Sequence, residues 1–423
     1  MKTEKNVPWR WIPTLYFAEG LPYVAVMTLS VILYKRMEVS NAEIALYTSW
    51  LYFPWVIKPL WSPFVDLVRT KRWWIVMMQL LIGGGMAGIA FVLPGDFFFQ
   101  ATLAFFWLMA FGSATHDIAA DGFYMLGLTE EKQAFFIGIR NTFYRVAMIA
   151  GQGLLVMIAG LLERKTGNIP MSWSLIFFIL AGSFIALSLW HQAVLPHPAS
   201  DERRAGVTIR TIWSEFLQTF YSFFTKKGII PALLFMLTYR LGESQLVKLA
   251  SPFLLDSPEQ GGLGLSTGQV GFVYGTVGVI ALLLGGIWGG IAIAHHGLKR
   301  WIWPMALAIS LPNLVYLYMA YFQPQSFFII NACVAIEQFG YGFGFTAYTM
   351  YLMLFAEGKY KTSHYAISTG FMALGMMLPG MVSGWIQEWL GYQLFFVWVM
   401  FCCIPLFLIL PLLTFPPQET PNS

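Results

Sequence analysis

Residues 98–126 read FFQATLAFFWLMAFGSATHDIAADGFYML, an apolar run long enough to cross a bilayer that ends with two carboxylates, Asp117 and Asp121. About 20 such residues cross the ~30 Å hydrocarbon layer as a helix. Four positions apart, the two aspartates share one helix face, one turn from each other. A bare charge at the bilayer centre costs about 3 kcal/mol or more, so each needs a partner, a proton or a wet cavity. The pattern extends outward. Glu19, Glu243 and Glu337, with Arg140, Arg145, Arg240 and Lys248, lie in equally apolar stretches. A chain that keeps this many charges at membrane depth is expected to be built around a polar path, which makes transport the first hypothesis.

Composition narrows the class. The 423 residues are 57% hydrophobic and 11% charged, whereas soluble domains carry roughly 25% charged residues. The 17 Trp, 19 Tyr and 37 Phe suit aromatic girdles and large packed rings. Cys333, Cys402 and Cys403 fall in apolar runs without metal or redox spacing. The formal charge of +4 follows membrane sidedness and does not indicate nucleic acid. Trp11 to Tyr34 is too long, and too interrupted by Glu19 and Pro22, for a cleavable signal peptide, so it is taken as the first span.

Twelve spans are expected: 11–34, 44–64, 73–93, 98–126, 133–161 and 172–194, then 229–250, 268–293, 301–321, 326–356, 363–386 and 391–413. This divides the chain into a six-helix bundle (1–195), a linker (196–228) and a second six-helix bundle (229–423). Within the linker, Ile209, Ile212, Trp213, Phe216, Leu217 and Phe220 recur at three- and four-residue spacings, an amphipathic helix expected on the membrane surface. Sixteen of the 25 Lys and Arg fall on one set of loops, and only Lys35, Arg36, Arg164 and Lys165 on the other. That bias puts both termini in the cytoplasm. The expectation is an all-α membrane protein with 12 transmembrane helices in two pseudo-symmetric bundles, a layout that resembles the major facilitator superfamily fold. Glycine rows in both halves (Gly138, Gly151, Gly153, Gly160; Gly370, Gly375, Gly380, Gly384) should let helices approach closely.

Several residues carry candidate roles, with plainer readings beside them. Asp117, Asp121, Glu19 and Glu243 are candidate proton-coupling groups; the alternative for the aspartates is static pairing with Arg140 and Arg145. Glu19 precedes Gly20-Leu21-Pro22, which reads as a broken-helix signature. His116 reads as a proton relay or as a hydrogen-bonding neighbour. Arg145 is the better cavity cation because of its depth and its bidentate fork, and Tyr144 lies beside it. Tyr239, Arg240 and Gln245 form a polar stripe on span seven with Glu243 and Lys248, offering two internal ion pairs. Glu337, Gln338 and Tyr341 on span ten suit a sugar or peptide ligand, though Glu337 also reads as a packed hydrogen-bonding anchor. Asp66, Arg69 and Arg72, with Arg140, are candidate gating residues; an ordinary charged loop serving topology is the alternative for the hairpin. No nucleotide-binding loop, catalytic triad or metal spacing is present, which argues against an enzyme and calls for no cofactor or metal.

The run Gly112-Ser113-Ala114-Thr115-His116-Asp117-Ile118-Ala119-Ala120-Asp121-Gly122-Phe123 resembles the span-four signature of the AmpG muropeptide permeases and their acetyl-coenzyme A transporter relatives. The likeness extends over Pro54 to Asp66, Tyr144-Arg145, Tyr239 to Glu243 and Gly380 to Trp385, and so covers nearly the whole chain. It implies proton-driven import of anhydromuropeptides (N-acetylglucosaminyl-1,6-anhydro-N-acetylmuramic acid, with or without peptide) for cell-wall recycling. Asp117, Asp121, Arg145 and Glu243 inherit the strongest functional expectation. Some bacterial members carry Gln, Lys and Asp at the positions of His116, Arg240 and Glu243, so the ligand contacts are open to difference. The partners implied are a sugar-peptide ligand, protons and membrane lipids, with no nucleic acid and a functional monomer. A second reading keeps the fold but gives it another anionic cargo, such as an acyl-coenzyme A, siderophore or peptide. A phosphate-rich cargo would require several convergent cations in the cavity. A third reading is a non-transporting membrane sensor or scaffold.

Overall fold

The computed structural model describes residues 7–198, 201 and 209–415; some side chains within that range, Asp66 among them, fall outside the description. The helices are α1 (Pro8–Arg36), α2 (Asn41–Trp50), α3 (Phe53–Val68), α4 (Lys71–Val92), α5 (Phe98–Gly127), α6 (Glu131–Thr166) and α7 (Ile169–Val194). After the linker come α8 (Ile209–Phe224), α9 (Ile229–Thr238), α10 (Leu241–Leu255), α11 (Thr267–His296), α12 (Leu298–Phe322), α13 (Phe327–Ala356) and α14 (Lys361–Leu412). Among the described residues nine helices are long and apolar enough to cross a membrane, or ten if the bent pair around residues 216–255 counts as one. The protein is an all-α, multi-pass membrane protein.

Expected spans and observed helices differ at four places, each for a local reason. Residues 41–68 form two helices of 10 and 16 residues, because Pro54 opens α3 at its first turn. The expected break near Glu19 does not occur: α1 runs through Pro13 and Pro22. The ladder instead widens to a π-helical turn at Ala25–Leu29, the kind of adjustment by which a membrane helix accommodates proline. The break in the chain falls on span seven, where Arg240 leaves helical geometry (φ −110°, ψ 21°) between α9 and α10. The last two expected spans form one 52-residue run, interrupted at Gly391 (φ 73°, ψ 165°).

Aromatic packing holds the first half together. Tyr34, Phe106, Trp173 and Phe177 are fully buried, with Phe106 edge-on to Tyr34 and Phe177 at centroid distances of 5.9 and 5.8 Å. The linker helix α8 does more than lie on a surface. Its Phe223 stacks on Phe371 of α14 at 6.3 Å, and Ser222 hydrogen-bonds His364 at 2.8 Å, while Leu217 and Tyr221 stay exposed. Its far end is thus docked on the second half.

The halves meet most tightly at one end. The π-helical turns Ile149–Leu155 of α6 and Gly271–Gly278 of α11 touch. A Cβ on Gly153 would lie 2.8 Å from Thr276 Oγ1, and one on Gly384 would lie 2.6 Å from the Ala42 Cα. In both glycine rows, every position but Gly138 faces a neighbour that a Cβ would crowd or touch, the close approach that small residues permit. A ring of polar bonds joins the halves beside Gly384. Lys35 pairs with Asp256 (2.6 Å), Tyr392 donates to Asp256 (2.7 Å), Asn41 donates to Tyr392 (2.9 Å), and Lys35 donates to Asn41 (2.9 Å). Glu388 of α14 accepts from the Ala42 amide at the start of α2 (2.9 Å). Glu163 binds Arg36 (3.1 Å) and Trp173 (2.9 Å) in its own half and Thr267 (2.7 Å) in the other. This end is closed. At the opposite end, around residues 69–71, 201 and 362–363, the halves stand apart and a cavity opens. Replacing Gly384 by Leu is therefore expected to force the closed end apart, raising thiol labelling of a cysteine placed at Asn41 and destabilising the protein by about 1–3 kcal/mol in detergent melts.

Candidate functional site

The carboxylates of α1 and α5 meet at the cavity. Glu19, Asp117 and Asp121 bring carboxylate oxygens within 4.8 Å of one another. Lys58 of α3 donates to Asp117. Arg140 of α6 pairs with Asp121 at 2.8 Å and lies over the rings of Tyr16 (4.5 Å) and Tyr124 (5.3 Å). Tyr16 also donates to Asp121 (3.3 Å), and Glu19 Oε2 is buried with no hydrogen-bond partner. Three acids therefore share two cations. The three carboxylates are close enough to chelate a metal ion, but Lys58 and Arg140 already occupy oxygens of two of them, which opposes a divalent ion.

The cavity has two chambers. The outer one, about 960 Å³, is lined by Lys58, Asp117, Asp121 and Arg240 and reaches Arg69, Lys71 and Asp201 at its mouth. The inner one, about 650 Å³, is lined by Arg145, Gln152, Arg240, Lys248, Tyr274, Gln338 and Tyr341, among others. They share Tyr23, Tyr52, Arg240, Tyr365 and Met376, so they adjoin across these side chains. Volumes of this order suit a drug-sized or larger polar ligand. Arg240 donates to the Tyr341 hydroxyl (2.7 Å) and lies over the Tyr341 and Phe345 rings at 4.9 and 5.1 Å.

Of the candidate ligand residues, Arg145, Arg240, Gln338 and Tyr341 are on the cavity wall. The others are placed elsewhere. Tyr239 donates to Gly344 O (2.7 Å) and stacks on Tyr348. Gln245 bonds Leu241 O, Cys402 and Trp398. Tyr144 packs its backbone and ring against Gly20. Glu337 is buried and accepts from Gln338 (2.9 Å). Glu243 is 3% exposed with both carboxylate oxygens unpartnered, and lies with Glu337 in the second half, apart from the α5 aspartates. Neither internal ion pair expected on span seven forms among the described residues: the break at Arg240 turns its guanidinium toward Tyr341, while Glu243 stays inside the bundle. Asp117 pairs with Lys58 rather than with Arg145, whose described polar contact is Met148 Sδ (3.4 Å).

The gating candidates also separate. Arg69 is exposed at the mouth, 5.8 Å from the Trp73 ring. Arg72 donates to the carbonyls of Gln192 and Leu195 at the end of α7, and Asp201 accepts from the Lys71 (2.7 Å) and Arg72 (3.1 Å) amides at the start of α4. These bonds are internal to the first half and its linker. Asp66 lies outside the described side chains. His116 is buried and bonds Gln79 (2.9 Å), which bonds His191 (2.9 Å), which bonds Thr14 (2.9 Å). The sequence did not single out Lys58 or Lys248 as site residues, nor Tyr52, Gln152 and Tyr274 of the inner chamber. The two lysines were visible at membrane depth, but only the fold shows that one faces Asp117 and the other the inner chamber.

Comparison with known proteins agrees with this architecture. The chain is 25% identical over 411 residues to a putative transporter, AmpG 4, of Rickettsia conorii, covering 94% of each chain. It is 26% identical over 401 residues to the anhydromuropeptide permease of Escherichia coli K12, covering 92% of this chain and 76% of that protein. Its fold is similar to that of a point mutant of the nucleoside transporter NupG, with a TM-score of 0.73 at 14% identity, over 97% of this chain and 100% of that one. Residues 14–357 match the Major Facilitator Superfamily, and the chain belongs to that family.

Proposed function

We propose that this protein is a proton-coupled secondary transporter of the inner membrane, with twelve transmembrane helices in two six-helix bundles and both termini cytoplasmic, that imports anhydromuropeptides for cell-wall recycling. The observation that carries the transport reading is the cavity between the halves, closed at one end and open at the other, with ionisable groups from several helices on its wall. Under the orientation read from the basic loops, the open end faces the cytoplasm. Three carboxylates around two cations leave one acid uncompensated, which is where a proton would bind when the cluster is cut off from water. A proton arriving at Glu19 or Asp121 loosens the grip of Arg140, and one on Asp117 frees Lys58. In this reading protonation alters how α1, α3, α5 and α6 are tied together.

The cargo assignment is supported by the similarity to a permease named for anhydromuropeptides and by the inner chamber. Tyr341, Tyr274 and Tyr52 offer faces for sugar rings, Gln338 and Gln152 offer amides, and Arg145 offers a fork for a carboxylate. A second reading, a phosphate-bearing cargo such as an acyl-coenzyme A, is favoured by the three cations that converge on the same chamber, Arg145, Arg240 and Lys248.

Uptake of labelled anhydro-disaccharide, with and without its stem peptide, into proteoliposomes under an imposed proton gradient tests the function. Gradient-driven accumulation of either form is expected, and acetyl-coenzyme A uptake in its place would select the second reading. Asp117→Asn and Asp121→Asn should each abolish uphill accumulation while the protein still folds; unchanged accumulation in both removes them from coupling. Arg145→Lys should weaken binding by roughly tenfold with melting unchanged, because the bidentate fork is lost. Lys58→Ala should destabilise by about 1–3 kcal/mol, and adding Asp117→Asn should recover much of that loss, because the unpaired charge is removed with its partner.

A further inference from the structure

Lys248 has a setting unlike the other membrane-depth cations. It is 2% exposed on α10 and lines the inner chamber. Its ammonium donates to Thr48 Oγ1 of α2, across the interface, at 3.1 Å, and lies 5.1 Å from the centre of the Tyr52 ring. The Thr48 hydroxyl gives its own proton to Ile44 O (2.6 Å), which leaves the oxygen free to accept. An ammonium has three donors, and a buried one with a single neutral acceptor is poorly compensated. Nearby, Arg240 Nε is buried without a partner, and Arg145 comes to the same chamber from the opposite half. Among the described residues no carboxylate reaches ion-pair distance of any of the three, whereas Lys58 and Arg140 are both paired. Like charges facing one chamber repel, and an anion arriving with the cargo is what would balance them.

We propose that Lys248 is a cargo-binding residue that completes, with Arg145 and Arg240, a three-cation site spanning both halves, and that this site binds cargo bearing two or more anionic groups more tightly than cargo bearing one. Capture of Lys248 by such a group competes with its hold on Thr48. Thr48 lies two turns along α2 from Asn41, a member of the ring that closes the far end. Cargo charge is thereby linked to one of the ties between α10 and α2. The proposal rests on the transport reading but not on the muropeptide assignment.

The test is binding of three probes to the purified full-length protein: the anhydro-disaccharide, with a single carboxylate; its tripeptide-bearing form, with several; and acetyl-coenzyme A, with several phosphate charges. Lys248→Gln is expected to weaken binding of a multiply charged probe by roughly tenfold or more, and that of the single-carboxylate probe by less than roughly threefold. Lys248→Arg should restore most of the difference. Thr48→Val, which removes the competing acceptor, should tighten the multiply charged probe a few-fold, and unchanged affinity there would overturn the competition. Equal losses for all probes in Lys248→Gln, or no loss, would overturn the site. Lys248-dependent binding of acetyl-coenzyme A alone would uphold the site and discard the muropeptide assignment. A wild-type protein that binds none of the three would overturn both.

Discussion

The first half is organised around carboxylates at membrane depth, two on the wall of the outer chamber and one, Glu19, buried behind them. Asp117 and Asp121 occupy one face of α5, and three neighbouring helices send polar groups toward that face: Lys58 from α3, Arg140 from α6 and Tyr16 from α1 as partners, with Glu19 of α1 as a third acid. The aromatic floor under Arg140 serves the same end, since a guanidinium over ring faces retains attraction after losing water. The arrangement is tight but not neutral. An imbalance of this kind makes a packed cluster responsive to protons, where a fully matched one would be a static anchor.

The second half handles charge differently. Its buried acids Glu243 and Glu337 form no ion pair among the described residues, and Arg240 is carried to the cavity by the break between α9 and α10. That break has an electrostatic use. It starts a new helix at membrane depth, with Glu243 in its first turn, where a negative side chain meets the positive end of the helix dipole. The two halves thus present an acid-rich wall on one side and cations and tyrosines on the other.

Much of this was legible in the sequence. Hydropathy located most helices to within a few residues, because lipid contact imposes a long apolar run that no packing detail disguises. The aspartate pair was legible for the same reason: charge in such a run requires an explanation. Partner identity was not, because pairing depends on which helices lie side by side. The spacing of Asp117 and Arg145 is compatible with a pair, yet the chain brings Lys58 to that acid instead. Tyr239 and Gln245 sit in a polar stripe in the sequence, but of that stripe only Arg240 and Lys248 reach the cavity. The contacts of the closed end were wholly hidden. Lys35 and Asp256 stand at helix ends, where charges are ordinary, and are 221 positions apart in the chain.

The circuit formed by Lys35, Asn41, Tyr392 and Asp256 has no free end. Severing any single link leaves both halves still tethered through the other arm, so a partial rupture forfeits a bond and releases almost no motional freedom. Separation becomes worthwhile only when both crossings, and the neighbouring bonds of Gln387, Glu388 and Glu163, let go together. A fastening of that topology has two settings and little between them, which suits a barrier that must not leak while its opposite door stands ajar.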